Sequence, residues 1–370
     1  GVLQTGAMHL RSATLTRNNL ANGNYQGVAT TLNTLTNPVS GSQSGSVLRY
    51  SGLFPENFIK TNPQVSTSVM ESNIGHSNYH SVQTQVSLRP IAGVSLQATY
   101  TFSRNLAQAP NGGPNGTGAT YTDPTDRMAD YTLANSHRQH AFVNYGTFSL
   151  PLGPGKTFFR NSTGFWARLA EDWQTSWILN LTSGSPGNIS AQSMLYGLGV
   201  PDIVGPFDVN DKDYVWAEDA REGNFFTDSD GQPKYVKRRD PQCTNTAYVM
   251  PALSGNCTLN AIATRDGQVV LQTPLPGKRG TLGLNRIENL GTWAFDMAIQ
   301  KRVMIGETRS FTVRLDASNI FNHPTPGQQA GFAPGLGTAD LSLQSAFPSL
   351  GVINNKTGQR RFQLKARIDF

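Results

Sequence analysis

The last eleven residues, Arg360-Arg-Phe-Gln-Leu-Lys-Ala-Arg-Ile-Asp-Phe370, restrict the fold more than any other stretch. Phe362, Leu364, Ala366, Ile368 and Phe370 take alternate positions, with Arg361, Gln363, Lys365, Arg367 and Asp369 between them. A helix scatters such a set around its circumference, whereas a strand gathers it on one face. The run ends on an aromatic at the last residue. Two settings suit it. It has the length of a tilted strand crossing a bilayer, and it also suits the edge or closing strand of a soluble sandwich with its charged face in water.

The same period returns along the chain. Val82, Thr84, Val86 and Leu88 alternate with polar residues over Asn78 to Arg89. Val94, Leu96, Ala98, Tyr100 and Phe102 do so over Val94 to Arg104, and the turn Pro90-Ile-Ala-Gly93 joins the two as a hairpin. Arg138 to Leu150 is a strand of ambiguous register, with Phe142, Gly146, Phe148 and Leu150 competing against Ala141, Val143 and Tyr145. Trp173, Thr175, Trp177, Leu179 and Leu181 share a face over Asp172 to Ser183. Trp293, Phe295, Met297 and Ile299 do so over Thr292 to Ile305, and Phe311, Val313, Leu315, Ala317 and Phe321 over Ser310 to Asn322. Val2 to Leu10 reads as a strand end. Arg11 to Asn73 reads as loop, Thr157 to Ala170 as an irregular connection with room for a helical turn, and Gly184 to Leu290 as the longest irregular region.

The connections alternate in length. From the C-terminus they run long (Asn322–Gln359), short (Gly306–Glu307), long (Gly184–Leu290), modest (Pro151–Glu171), long (Asn105–His137), short (Pro90–Gly93) and long (Arg11–Asn73). An up-and-down antiparallel meander places all long connections at one end. Loops beyond about 15 residues are uncommon in compact domains. Outer-membrane barrels have this asymmetry by construction, with short periplasmic turns and long extracellular loops. Tyr79, Phe102, Trp173, Trp293, Phe321 and Phe370 stand near strand ends, where an interfacial girdle would put them, although strand propensity alone also favours aromatics. The expected fold is therefore all-β: an antiparallel up-and-down transmembrane β-barrel, of which about eight strands belong to this chain, with residues 184–290 as a long extracellular loop region.

Composition agrees. Only 15% of the 370 residues are charged, and 37 Gly and 21 Pro supply many turns. No apolar run reaches the roughly 18 residues of a transmembrane helix. A mean hydropathy of -0.36 is compatible with a membrane barrel, since only alternate strand residues meet lipid. The net charge of +6 is spread singly over strand faces, with one compact run at Lys237-Arg238-Arg239. Without a basic stripe interleaved with aromatics, a nucleic-acid partner is not expected. The chain starts on Gly1-Val-Leu-Gln rather than on a Met or a charged leader, so the expectation is a C-terminal part of something longer.

Chemistry-bearing groups are few. Cys243 and Cys257, with no histidine nearby, read better as a disulfide closing a short loop than as a metal pair or two free thiols. His137 and His140 flank Arg138 at a strand start; a metal or proton role competes there with a polar edge at a membrane interface. Asp228-Ser-Asp230-Gly231 and Asp211-Lys-Asp213 resemble pieces of a calcium loop without its closing Glu. Gly184-Ser-Pro-Gly187 reads as a turn and not as a nucleophile elbow. No carboxylate pair or Ser/His/Asp set suggests an enzyme, and no cofactor is expected.

Several stretches together resemble the C-terminal barrel of TonB-dependent outer-membrane receptors, in the Oar-like group that carries a carboxypeptidase-regulatory-like N-terminal domain. They are Asn73-Ile-Gly-His-Ser-Asn-Tyr-His-Ser-Val-Gln83, Ala134-Asn-Ser-His-Arg-Gln-His-Ala-Phe142, Leu150-Pro-Leu-Gly153, Trp173 with Ser183-Gly-Ser-Pro-Gly187, Pro201-Asp-Ile-Val-Gly205 and Arg314-Leu-Asp-Ala-Ser-Asn-Ile-Phe-Asn-His-Pro324, besides the terminal strand. The resemblance implies that residues 1–370 are the later part of a larger plugged barrel whose plug and N-terminal domain are not in this sequence. It implies ligand uptake across the bacterial outer membrane, energised by the TonB complex; a surface-exposed β-barrel for binding or adhesion without active transport, and a soluble β-sandwich carbohydrate-active protein, stay open as alternatives. Lipid, lipopolysaccharide, an unidentified ligand and the barrel-assembly machinery would be the other partners, the last reading Phe362, Leu364, Ala366, Ile368 and Phe370 as its signal. Asp296, Arg302, Arg314, Asp316, Arg361, Lys365 and Arg367 would face inward, where opposite charges on neighbouring strands can pair. Lys301 falls on the apolar face near a strand end, within snorkelling reach of the interface.

Overall fold

A computed structural model describes residues 14–24, 27, 75–108, 121–123, 125–194, 198–210, 215–216, 223–306, 308–323, 325–326, 341–353 and 356–370. The strand end expected at Val2 to Leu10 lies outside them, as do Asp211 and Asp213.

Seven long strands form one antiparallel sheet in chain order. They are β1 (Ser77–Ile91), β2 (Val94–Ala107), β3 (His140–Ser149), β4 (Trp173–Thr182), β5 (Thr292–Ile305), β6 (Arg309–Ser318) and β7 (Arg361–Asp369). A short eighth strand, Thr132–Leu133, extends the loop end of β2. The register ties the alternating patterns into continuous faces. Val86 pairs with Ala98, Tyr100 with Phe142, Phe142 with Leu181, Leu181 with Trp293, Ile299 with Leu315, and Leu315 with Leu364. One face is thereby apolar across all seven strands. The other carries Gln85, Thr99, Val143, Asn180, Ala294, Arg314 and Lys365 in the corresponding rows. The pairing also settles β3: Phe142 and Phe148 join the apolar face, and Ala141, Val143 and Tyr145 the polar one.

The three short or modest connections lie at one end of the sheet and the long ones at the other. The β1–β2 turn is Ala92-Gly93, both at positive φ (53° and 83°), the two-residue type that matches strand twist. Pro90 stands inside β1 next to a register shift, a position proline tolerates because β1 is an edge strand. Among the described residues β1 and β7 do not pair with each other, so the barrel is open. Strands one and seven of an antiparallel meander point the same way. Antiparallel closure therefore takes an odd number of further strands.

The region from Gly184 to Leu290 is not irregular. Tyr235–Arg239, Asn260–Thr264, Val269–Gln272 and Asp202–Ile203 form a four-stranded sheet in that order. Its core includes Ile189, Phe225, Phe226, Tyr235, Ile262, Leu271, Leu282 and Ile287, and takes Leu341, Leu343, Leu350 and Ile353 from the next long connection. Backbone bonds join the two segments: Leu343 N–H to the Ser190 carbonyl at 2.9 Å and Lys237 N–H to the Pro348 carbonyl at 2.8 Å. We call this joint unit the cap. Gly184-Ser-Pro-Gly187 is no turn either; Pro186–Gly187 pairs with Ile287–Glu288 at the base of the cap.

The segment Arg11 to Asn73, read as loop, contains helix α1 (Thr14–Ala21) in its described part. Ala21 packs with Met194, Cys243, Val249, Cys257 and Leu259. Asn22 fixes the approach, donating to the Asn256 carbonyl at 3.2 Å and accepting from Thr258 N–H at 2.7 Å. Another helix among the described residues, α2 (Gly164–Ala170), sits in the β3–β4 connection at the short-turn end.

Candidate functional site

The polar face is concave. A cleft of about 700 Å³ touches strands from β1 to β6, and most of its lining belongs to that face: Ser87, Gln97, Tyr145, Ile178, Asp296 and Arg314 among others. A sheet lying flat would not bring β1 and β6 to one cleft. Hydroxyl and amide pairs lace the wall across strands. Ser95 meets Thr147 at 2.7 Å, Gln300 donates to Gln174 at 2.6 Å, and Thr182 meets Thr292 at 2.8 Å.

One charge cluster stands out in this wall. Register sets Arg314 directly opposite Lys365, and like charges so placed repel. Asp316, two residues along the same face, separates them. It accepts from Arg314 Nε at 2.7 Å and pairs with Lys365 Nζ at 2.9 Å. All seven charges expected to face inward do lie on the polar face by register, but only these three converge. Asp296 accepts from the Asn319 backbone N–H at 2.7 Å. Arg302 and Arg361 are exposed at opposite ends, and Arg367 pairs with Asp369 of its own strand at 2.6 Å. Ile178 reads in the sequence as the one apolar exception on the polar face of its strand and Tyr145 as a member of one of two competing registers; the pairing of both in the row of Gln97 places them in the cleft.

On the apolar face Gly146 leaves room for the Trp177 indole. A Cβ there would stand 2.5 Å from the ring and 2.5 Å from the Ser95 carbonyl. The indole N–H donates to Asn144 Oδ1 at 2.7 Å, so these two groups satisfy each other on the apolar face. Lys301 also lies on this face. Its ammonium donates to the Glu171 carbonyl and sits 5.5 Å from the Trp173 ring centroid. Aromatics gather at both strand ends: Phe102 beside His140 and Trp293 stacked on His323 at the long-loop end, Trp173 and Phe370 at the other. Tyr79, by contrast, falls on the polar parity of β1.

The remaining candidates separate. His137 is buried and its Nδ1 accepts from Asn105 N–H at 3.2 Å, while His140 Nδ1 meets the Tyr100 hydroxyl at 2.8 Å. Each histidine has its own partner, and among the described residues no group of three His, Cys, Asp or Glu is placed to hold a metal. Asp228 is engaged in its turn, accepting from Gln232 N–H at 2.8 Å and Asp230 N–H at 3.0 Å and pairing with Arg265. The Gln232 N–H, and then Arg265, hold its carboxyl below the usual range. Lys237 and Arg239 of the basic run reach Ser345 and Ser254 within the cap.

The cap is anchored in two places. Cys243 and Cys257 are bonded to each other, stapling the segment on which α1 rests. Asp240, fully buried, accepts from Gln242 N–H at 2.8 Å, Gln272 Nε2 at 2.8 Å and Thr273 N–H at 3.1 Å. Burial outweighs these donors and pushes its carboxyl above the usual range. Below, Asn285 ties the cap to the sheet, its side-chain amide donating to the Leu133 carbonyl at 2.6 Å and to Asn135 Oδ1 at 2.9 Å.

Residues 12–363 match a family described as an outer membrane beta barrel domain. No curated protein matches the chain.

Proposed function

The chain belongs to the outer membrane beta-barrel domain family and resides in the bacterial outer membrane; from that premise we propose that it is the barrel of a TonB-dependent receptor that takes up a ligand. The apolar face then meets lipid and the polar face lines the lumen. The short-turn end faces the periplasm and the cap faces outside, as is general for such barrels. The observation that carries the reading is the concave polar wall with its Arg314–Asp316–Lys365 cluster, standing beneath a folded cap. The cap supplies shape for ligand recognition and the wall supplies a wet path. The stretches that resemble Oar-like receptors are in keeping with this reading. We further propose that Phe362, Leu364, Ala366, Ile368 and Phe370 address the chain to the barrel-assembly machinery; the first four share the apolar face of an edge strand and Phe370 follows directly after it.

A second reading, surface binding without transport, is favoured by one observation: the cap has its own core and disulfide, as a free-standing recognition unit would. One experiment separates the two. The protein, purified as the cell makes it, is titrated with the periplasmic domain of TonB. Binding that also requires the segment preceding the barrel supports uptake. Absence of binding at any TonB concentration, with the protein folded and heat-modifiable on gels, removes the uptake reading and leaves the binding one.

A further inference from the structure

The β3–β4 connection carries an apolar cluster that neither lumen nor cap uses. Phe158, Phe159, Phe165, Trp166 and Leu169 are 58%, 65%, 74%, 68% and 48% exposed. Large side chains left bare over one short segment mark a surface that something apolar covers. The segment is held in place and is not a loose loop. Gly153 N–H donates to the Phe158 carbonyl at 2.9 Å, Phe158 N–H to the Pro151 carbonyl at 3.0 Å, and Gly155 N–H to the Arg160 carbonyl at 3.1 Å. Trp166 stands edge-on to Phe165 with centroids 5.7 Å apart.

Its position names the occupant. The Trp173 indole N–H donates to the Leu169 carbonyl at 2.9 Å, and Trp173 belongs to the apolar face of the sheet. Lys301, also on that face, reaches the Glu171 carbonyl. The exposed cluster is therefore continuous with the lipid-facing surface at its short-turn end. Lys156, Arg160 and Arg168 are exposed among the aromatics. Aromatics mixed with cations are the composition of segments that lie at the headgroup–acyl boundary. We propose that residues 156–170 form a foot that docks on phospholipid at the short-turn end of the barrel, seating Phe165, Trp166 and Leu169 in the interface. The inference rests on the membrane location and not on the uptake reading.

The test uses the full protein in phosphatidylethanolamine–phosphatidylglycerol vesicles, with and without bromine near the acyl carbonyls. The difference between wild type and Trp166→Phe isolates the Trp166 emission; heat-modifiable gel mobility of both confirms equal folding. The proposal expects brominated lipid to remove at least about half of that emission, with little quenching by aqueous iodide. Quenching by iodide and not by bromine would place Trp166 in water. Quenching by neither would place it under protein. Either result overturns the proposal, while TonB binding would be untouched by all three.

Discussion

Leu364 on β7 is 70% exposed and Phe362 is 60% exposed, whereas Phe226 and Ile262 in the cap are wholly buried. The contrast holds across the molecule. Among the described residues, the ten largest fully buried side chains, from Ile189 to Ile353, all lie in the cap, and none lies in the seven long strands. The sheet is built for a solvent that its apolar face finds in lipid, so one layer suffices. The cap stands in water and must bury its apolar residues against themselves, which is why it needs two sheet-forming segments, a disulfide and α1. The two regions should therefore respond oppositely to the same kind of substitution.

The largest difference is expected for truncation of a core ring. Phe226 packs against Phe207, Phe225 and Tyr235, with ring centroids 5.9, 5.1 and 5.4 Å away. Phe226→Ala should cost the cap about 3–5 kcal/mol. Limited proteolysis of the folded protein in detergent should then cut within residues 189–290 or 341–353, and not within β5 or β6, while heat-modifiable mobility persists. Loss of the whole barrel would mean that cap and sheet unfold as one.

Next comes a charge on the lipid face. Leu315 lies mid-strand, opposite Ile299 and Leu364. Leu315→Arg should destabilise the membrane-inserted protein by about 2–4 kcal/mol, measured by denaturant titration in lipid. Ser176→Arg on the polar face, opposite Thr147 and Ala298, should cost about 0.5 kcal/mol or less. Equal losses would show that the two faces are misassigned.

These predictions also show what was legible in the sequence. Period-two alternation marked the faces of β1, β2, β4, β5, β6 and β7, with Ile178 of β4 the one exception, because each of these strands meets two different solvents. It blurred in β3, where Val143 and Tyr145 put apolar groups on the lumen side. It failed in the cap for a physical reason. Ala261-Ile-Ala263 and Val269-Val-Leu271 are covered on both sides, so their apolar runs do not alternate. Their partners Leu341 and Leu350 come from a different connection, a pairing that local pattern does not reveal. Of the candidate site, the inward parity of Arg314, Asp316 and Lys365 was readable, but their convergence needed the register between β6 and β7. α1 was missed because Asn18, Asn19 and Asn22 look like loop residues; Asn18 and Asn22 bond to each other and to the cap, and Asn19 accepts from Asn24.

A smaller effect concerns acid. Burial raises the Asp240 pKa above its ordinary 3.8. For a raised carboxyl, the folded state holds its proton more tightly than the unfolded one. Its stabilising contribution is complete below pH 3.8 and is lost as pH rises through the raised value. Wild-type cap should therefore gain stability relative to Asp240→Asn as pH falls toward 3.8, read by proteolysis rates across that window. Asp228 works in the opposite sense: its lowered carboxyl contributes above 3.8 and loses that contribution as pH falls below it. A wild-type advantage that grows with pH would contradict the burial argument.

The smallest effect tests the sheet at its tightest point, where no core is involved. Ala92 adopts φ 53° and Gly93 φ 83° in the β1–β2 turn. A Cβ disfavours that conformation at residue 92, whereas asparagine tolerates it and Asn-Gly is the favoured pair for this turn. Ala92→Asn should stabilise the hairpin by about 0.5–1 kcal/mol. Gly93→Ala should do the reverse, since its Cβ would also stand 3.0 Å from the Ser149 carbonyl. Hydrogen exchange of β1 amides in detergent is the sensitive readout, because β1 is an edge strand whose pairing depends on this turn. Slower exchange along β1 in Ala92→Asn, with cap amides unchanged, is the expected result. Cap amides that slowed by the same factor would mean that the sheet and the cap open together, and the division drawn between them would fail.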